Sequence, residues 1–275
     1  MQLEELFKHP QALPAVPKIV HELIDSFNNE EVSIDEVARK IAADPVLSAR
    51  LLRLGNSAYY HVSRSIGTVS DAVAMLGFVT VRTLVISSGL TGGYKSMPGM
   101  DLGRFWRYSL HTAGTARWLA KASHQNIDLC FTVGLMHAIG QLVMHAGMPE
   151  PMLHLDRLAS PLDSRRLDME RTSFGYTFAD VGAELARQWK FPAPFSDAIK
   201  HFPTPLNHEP FDGVAGVIHI AAWRARAEHN DLNADEMAAT IPAAVCAKLG
   251  LNADTLMSEM PPLNELCEGL EALLG

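Results

Sequence analysis

Apolar residues recur every three or four positions along most of this chain, which is the periodicity of helices with one buried face. In the C-terminal part this pattern predicts helices over residues 101–123, 128–145, 177–190, 194–201 and 212–229. The segment 128–145 is almost wholly apolar, so we expect it to be central. Shorter helices are predicted over 34–41, 45–54, 72–76 and 80–90, and two more around Pro242 and the pair Pro261-Pro262. Strand patterns are weak, and the chain is predicted to be all-α.

Start and stop signals support the N-terminal helices. The sequence Ser33-Ile34-Asp35-Glu36 is that of a capping box, in which the Ser and Glu side chains each bond a backbone N–H. Asp44-Pro45 is a second start, because Asp accepts from the first turn and Pro occupies a place where no N–H is needed. We expect Ser70 or Asp71 to cap the next helix and Gly77 to end it.

The richest cluster of helix breakers spans residues 92–99. Glycine and proline clusters of this kind separate structural units. We therefore expect a smaller N-terminal helical lobe over residues 1–95 and a helical bundle over residues 100–275. The two lobes are expected to pack closely and to act as one functional unit.

Composition narrows the class of protein. The 275 residues are 48% hydrophobic and carry a net charge of −8, which argues against general affinity for nucleic acid or anionic membrane. Three scattered cysteines suit neither a disulfide framework nor a zinc site. The acidic N-terminus lacks a signal-peptide pattern, and we expect no membrane span. A cytoplasmic protein without a cofactor is expected.

Two segments carry a family resemblance. Gly134-Leu135-Met136-His137-Ala138-Ile139-Gly140-Gln141-Leu142 resembles the core of HD-type metal phosphohydrolases, with Ala138 in the place of the metal-binding Asp. The run from Asp44-Pro45 to Asn56-Ser57-Ala58 resembles the HDOD domain, an HD-related output domain of bacterial signalling proteins. This resemblance covers nearly the whole chain. It implies an all-α fold, in which a small N-terminal lobe packs on an HD-like bundle, and a non-catalytic output or scaffold role.

The same resemblance locates the other metal-ligand places of catalytic HD domains. They fall at Tyr108, Phe178 and Ala222, in addition to Ala138. An alanine or phenylalanine has no lone pair with which to hold an ion, so four departures together argue against an HD metal centre. The HD site is expected to be degenerate.

His137 is the remaining candidate for chemistry. A single buried imidazole is usually hydrogen-bonded by a neighbour, and a structural role is the expected one. His137, Gln141 and His145 follow at four-residue spacing, and two such histidines could bind a transition metal, but that helix offers no carboxylate. His111, His201 and His219 could converge with His137 inside the bundle. A degenerate pocket that binds a nucleotide-type ligand through these histidines and Gln141 therefore stays open.

A second candidate surface lies at the end of the helix that starts at Pro45. The leucines of this helix are expected to form its buried face, so Arg50 and Arg53 are expected on the other faces. A local structural role and a partner-binding surface both remain possible interpretations there. The residues concerned are Arg50, Arg53, Asn56, Ser57, Tyr59 and Tyr60.

The sequence therefore favours a stand-alone signalling module that acts through protein–protein contact or a small ligand. The alternative is a metal-dependent phosphohydrolase with atypical ligands, and its weak point is Ala138. Neither the partner nor the pathway is readable from the chain.

Overall fold

The protein was analysed as a computed structural model that describes residues 2–9, 12–13, 20, 22, 33–57, 60, 64–77, 80–81, 84–86, 89, 97 and 99–270. These residues form helices and contain no strand, which confirms the all-α prediction. The bounded helices are α1 (Leu3–Leu6), α2 (Ile34–Ala42), α3 (Pro45–Gly55), α4 (Val69–Leu76), α5 (Leu102–Ala122), α6 (Ile127–Met136), α7 (Ile139–Gly147), α8 (Pro149–Leu158), α9 (Arg166–Phe174), α10 (Phe178–Gln188), α11 (Ala193–His201), α12 (Gly213–His229), α13 (Ala234–Thr240), α14 (Ala243–Lys248), α15 (Ala253–Glu259) and α16 (Leu263–Leu266).

Helices α2, α3 and α4 pack on one another within the segment predicted to form the N-terminal lobe. Asp44 accepts from the backbone N–H groups of Val46 and Leu47 and starts α3 as predicted. The predicted helix over 80–90 is helical wherever the structure describes it. The predicted lobe boundary falls in the 92–99 cluster, of which only residues 97 and 99 are among the described residues.

The second lobe is built around α5, α6 and α12, with α7 packed between α8 and α10. Asp101 and Asp212 each accept a backbone N–H in the first turn of α5 and α12. These caps place both helices within one residue of the predicted bounds. Because α5 and α12 pack on each other along their lengths, they fix the side chains that face the centre of the bundle.

The central apolar segment is not one helix. A turn at His137 and Ala138 interrupts the regular helix: His137 keeps helical φ and ψ angles, Ala138 does not, and α7 starts afresh at Ile139. Gly140 then lies so close to α10 that an added methyl group would overlap the carbonyl oxygen of Phe178. Glycine at this position therefore allows the close approach of α7 and α10, and the interruption is a correction to the predicted 128–145 helix.

Three local predictions were wrong. Ser33 occupies the cap position of α2, but its side chain accepts no backbone N–H. The cap of α4 is Thr68, whose side chain accepts from Asp71 N, and neither Ser70 nor Asp71 is the cap. Four short helices (α13–α16) follow α12, where two were expected. Gly77 ends α4 with a φ of +83°, as predicted.

One described stretch, residues 127–147, is apolar and long enough to cross a membrane by length and composition alone. No membrane span was expected from the sequence, and the core helix of a globular protein meets the same length and composition criteria. Within the fold, 83% of its most apolar part is buried inside the protein. Its apolar character is therefore accounted for by its place at the centre of the bundle.

Candidate functional site

Three of the HD-related positions meet in an aromatic cluster. The rings of Tyr108 on α5 and His137 have centroids 5.0 Å apart and contact edge to face. The other side of the imidazole faces Phe202, at 5.2 Å, and Phe202 in turn lies 6.1 Å from Phe178. The structure thus brings Tyr108, His137 and Phe178 together, and it adds Phe202, which the sequence did not single out.

His137 is fully buried. Its Nδ1 lies 2.6 Å from the carbonyl oxygen of Gly134, which can only accept, so Nδ1 is the donor. Nε2 then carries the lone pair, and it is buried without a hydrogen-bond partner. Burial lowers the pKa of His137 to about 3, because desolvation penalises the imidazolium form. The ring is therefore neutral at physiological pH.

The two alanine positions are closed by packing. Ala138 and Ala222 are both fully buried, and neither side chain contains an atom that could hold an ion. The part of the chain that the structure describes holds no group of three or more His, Cys, Asp or Glu side chains placed to share a metal ion. A divalent cation of the HD type needs several nitrogen or oxygen donors, and the residues gathered here do not supply such a set.

The four histidines considered from the sequence do not converge on one centre. His111 pairs with His229, with ring centroids 5.3 Å apart. His201 stacks on His208 at 3.8 Å and lies 3.5 Å from an oxygen of Asp212. His219 is linked to the aromatic cluster because its Nδ1 donates to the carbonyl of Phe202 at 2.8 Å. His111 reaches the cluster only through His229, whose ring lies 5.9 Å from that of Tyr108.

Gln141 leaves the histidines and turns toward the loop after α8. Its Nε2 donates to the carbonyl of Pro161 at 3.0 Å, while Oε1 is buried without a partner. The side chain lines a cavity of about 210 Å³ that also touches Arg104 and Phe105. Gln141 is thus placed apart from the HD-related cluster.

A buried network of charges, missed by the sequence analysis, joins α7, α8, α9 and α10. Arg166 contacts Asp156 at 2.6 Å and Glu170 at 2.7 Å, and both Arg166 and Glu170 are almost completely buried. Asp156 also lies 2.8 Å from Nε2 of His145, and Glu170 accepts from the backbone N–H of Phe178 at 2.7 Å. Glu170, which the sequence could not place, therefore holds the start of α10.

The two carboxylates of this network differ in their electrostatics. Burial raises the pKa of Glu170 in spite of its contact with Arg166. Burial also acts to raise the pKa of Asp156, but hydrogen bonds from His145 and Arg166 outweigh it and lower that pKa. Both ring nitrogens of His145 face oxygen acceptors.

The candidate partner surface at the end of α3 is partly occupied by local contacts. Asn56 donates from Nδ2 to the carbonyls of Leu52 and Ile66, both at 2.8 Å, and accepts the N–H of Ile66 at 2.7 Å. Tyr60 lies under the guanidinium of Arg117 on α5, 5.5 Å from its ring centroid. Asn56 thus holds α3 and the segment before α4 together, and Tyr60 contacts α5 of the second lobe.

The remaining residues of that surface vary in exposure. Arg50 is half-buried and Arg53 is exposed. The hydroxyl of Ser57 is buried without a hydrogen-bond partner. Tyr59 lies outside the described residues. The surface stays a candidate for partner binding on this geometry.

Arg226 on α12 is a further residue that the sequence analysis missed. Its Nη1 donates to the hydroxyl of Tyr108 at 3.3 Å, next to the aromatic cluster. Burial raises the pKa of that hydroxyl, and the charge of Arg226 only partly offsets the effect. Arg226 follows Ala222 by one helical turn, and this spacing was the only sequence signal that could have pointed to it.

Comparison with known proteins assigns the family. The model of the HDOD domain matches residues 13–205. A crystal structure from Shewanella amazonensis SB2B, named "Putative phosphohydrolase", is 32% identical, with a TM-score of 0.79 over 99% of this chain and 97% of that one. An HDOD domain protein with unknown function from Geobacter sulfurreducens shares the fold at 22% identity, with a TM-score of 0.69 over 99% of this chain and 87% of that one.

A relative in Treponema pallidum (strain Nichols), an uncharacterized protein, is 26% identical over 202 residues. The match takes in 72% of this chain but only 39% of the relative, so that protein is much longer than the shared region. The family match and the Shewanella relative agree with the all-α, HD-like fold described above. This chain belongs to the HDOD domain family.

Proposed function

We propose that this chain is a non-enzymatic signalling module of the bacterial cytoplasm that works by binding a protein partner, and that its HD site is vestigial. The observation that supports this most strongly is the set of side chains at the HD-related positions. Two alanines, one phenylalanine and one tyrosine stand there, and His137 is enclosed between the rings of Tyr108 and Phe202. A water-activating metal centre would need donors that these side chains lack.

Metal content and turnover test the vestigial site. The full chain is purified without a metal-affinity tag, analysed for metals, and assayed for phosphodiesterase activity with and without added Mn²⁺. We expect no stoichiometric metal and no turnover. Stoichiometric metal with turnover, both abolished in His137→Ala, would overturn the proposal.

Partner binding is tested by affinity capture from a lysate of the source organism. The bait is the full chain, compared with Arg53→Glu at the end of α3 and with Arg171→Glu, an exposed position on α9 that serves as the charge-matched control. We expect a specific partner that the Arg53 variant loses and the Arg171 variant keeps. Capture of no specific partner, or equal capture by both variants, contradicts the proposed surface.

The alternative is a metal-dependent phosphohydrolase with atypical ligands. What favours it is the name of the Shewanella relative, which describes that protein. The two functions give opposite results in the metal and turnover measurements.

A further inference from the structure

A cavity of about 400 Å³ opens beside the vestigial site, and nothing described so far uses it. One wall is a stripe of α12 in which His219, Trp223 and Arg226 follow at four- and three-residue spacing, so they share one helix face, and Asn230 at the end of the helix continues it. Thr240 and Pro242 also line the cavity. The described residues that line this cavity include no Asp or Glu, although the chain as a whole has an excess of acid.

Arg226 gives the cavity its charge. The guanidinium is planar and presents five N–H donors, a geometry that matches the oxygens of a phosphate in pairs. Nη1 of Arg226 donates to the hydroxyl of Tyr108, at 3.3 Å, and this hydrogen bond fixes the side chain. The half-buried guanidinium has further N–H donors that a ligand could use. With no acid on the walls, this arginine favours an anionic ligand.

His219 supplies an acceptor. Because its Nδ1 donates to the carbonyl of Phe202, Nε2 is the other polar atom of a ring that lines the cavity. Burial lowers the pKa of His219 and keeps the ring neutral, so Nε2 has a lone pair to offer to a ligand N–H or O–H.

Trp223 supplies a flat wall. Its Nε1 donates to Oγ1 of Thr240 at 3.2 Å, which fixes the plane of the indole. A fixed indole is the side chain on which planar heterocycles stack best in nucleotide sites. The cavity volume lies near the lower end of the roughly 300–1,000 Å³ of small-molecule sites, a size that suits one nucleotide unit.

We propose that this cavity binds a nucleoside monophosphate, with the phosphate on Arg226, the base against Trp223 and a ligand hydroxyl or amino group on Nε2 of His219. This proposal adds a small-molecule ligand to the proposed signalling function. It rests on that function in one respect, namely that the ligand is bound and not turned over. The ligand would occupy the space between α12 and α13, beside the HD-related cluster and outside it.

Binding is measured on the full chain by calorimetry and by thermal unfolding with AMP, GMP, CMP, inorganic phosphate and adenosine. We expect at least one nucleoside monophosphate to raise Tm, while phosphate alone and adenosine alone bind more weakly. Arg226→Gln should raise Kd about tenfold or more, because it removes a charge-assisted contact. Arg226→Lys keeps the positive charge but loses the paired N–H donors of the guanidinium, so its Kd should lie between those of the wild-type and Arg226→Gln proteins.

Arg224→Gln is the matched control. Arg224 lies on another face of the same helix and pairs with the exposed Glu228 at 3.0 Å, so its loss should leave Kd unchanged. Circular dichroism and the Tm of each unliganded variant separate lost binding from lost folding. Absence of binding by all five probes, or equal Kd values in the Arg226→Gln and wild-type proteins, would overturn the site. Turnover of a bound nucleotide would instead overturn the proposed function while leaving the site intact.

Discussion

Arg165 and Arg166 are adjacent in sequence and make ion pairs of nearly equal length in opposite surroundings. Arg165 is exposed and contacts Asp163 at 2.7 Å. Arg166 is almost fully buried and contacts both Asp156 and Glu170. Removal of a buried partner leaves uncompensated charge in a medium of low dielectric constant, which typically costs about 3–5 kcal/mol. We expect a loss of that size in the free energy of unfolding for Arg166→Met.

The assay is urea unfolding at pH 7, followed by circular dichroism and intrinsic fluorescence. Arg165→Met is the control and should shift the midpoint little, because water and salt screen an exposed pair. Adding Glu170→Gln to Arg166→Met should recover part of the loss, since it removes one of the two stranded carboxylates. Equal effects of the two arginine substitutions, or no recovery in the double variant, would refute the view that Arg166 neutralises this network.

Three further outcomes are expected. The pKa of His137 is about 3 in the folded protein and about 6.5 in the unfolded chain. Because the unfolded chain binds the proton more tightly, the contribution of neutral His137 to the free energy of unfolding is fully present above about pH 6.5 and is lost as the pH falls below it. Between pH 7 and pH 5 the wild-type protein should lose about 2 kcal/mol of its free energy of unfolding through this group. In urea unfolding at both pH values, His137→Phe should lose about 2 kcal/mol less than the wild type. Equal losses in the two proteins would contradict the prediction. Gly140→Ala should lower the free energy of unfolding by about 3 kcal/mol or more, because the added methyl group would overlap the carbonyl oxygen of Phe178. Gly103→Ala, at the exposed start of α5, is the control and should change Tm little in the same thermal melts. Asn56→Ala should cost about 1–3 kcal/mol through the lost bonds to Ile66, with hydrogen exchange faster at the Ile66 amide.

Helices with strong local signals were predictable, and those whose ends depend on packing were not. Asp101 and Asp212 sit directly before long apolar patterns, so α5 and α12 were placed within one residue. Helix α8 was not predicted, because Pro149 and Pro151 resemble helix breakers in the sequence, yet they lie in the first turn of α8, where proline is tolerated. The break at His137 has no Pro or Gly of its own, and a continuous apolar run hides it from a periodicity argument.

The candidate site shows the same difference between features that the sequence could predict and features that depend on packing. The resemblance predicted which positions correspond to the HD ligands, and the structure brings Tyr108, His137 and Phe178 into one cluster. The partners of the buried charges come from four different helices, and spacing hints only at the Arg166–Glu170 pair, one turn apart on α9. The contact between Arg226 and Tyr108 joins residues 118 positions apart, which local pattern cannot reveal.

The position of Ala138 bears on how many changes this fold would need before it could hold a metal ion. Ala138 is fully buried and occupies the cap position of α7 without a side-chain hydrogen bond to the helix. A lone Ala138→Asp substitution would place a carboxylate in that interior with no cation to balance it, at a cost of several kcal/mol. The other three HD-related positions would each have to change before a metal could compensate. Variants with only some of these changes would be less stable than the present chain, so such a metal site could not be built one substitution at a time without loss of stability.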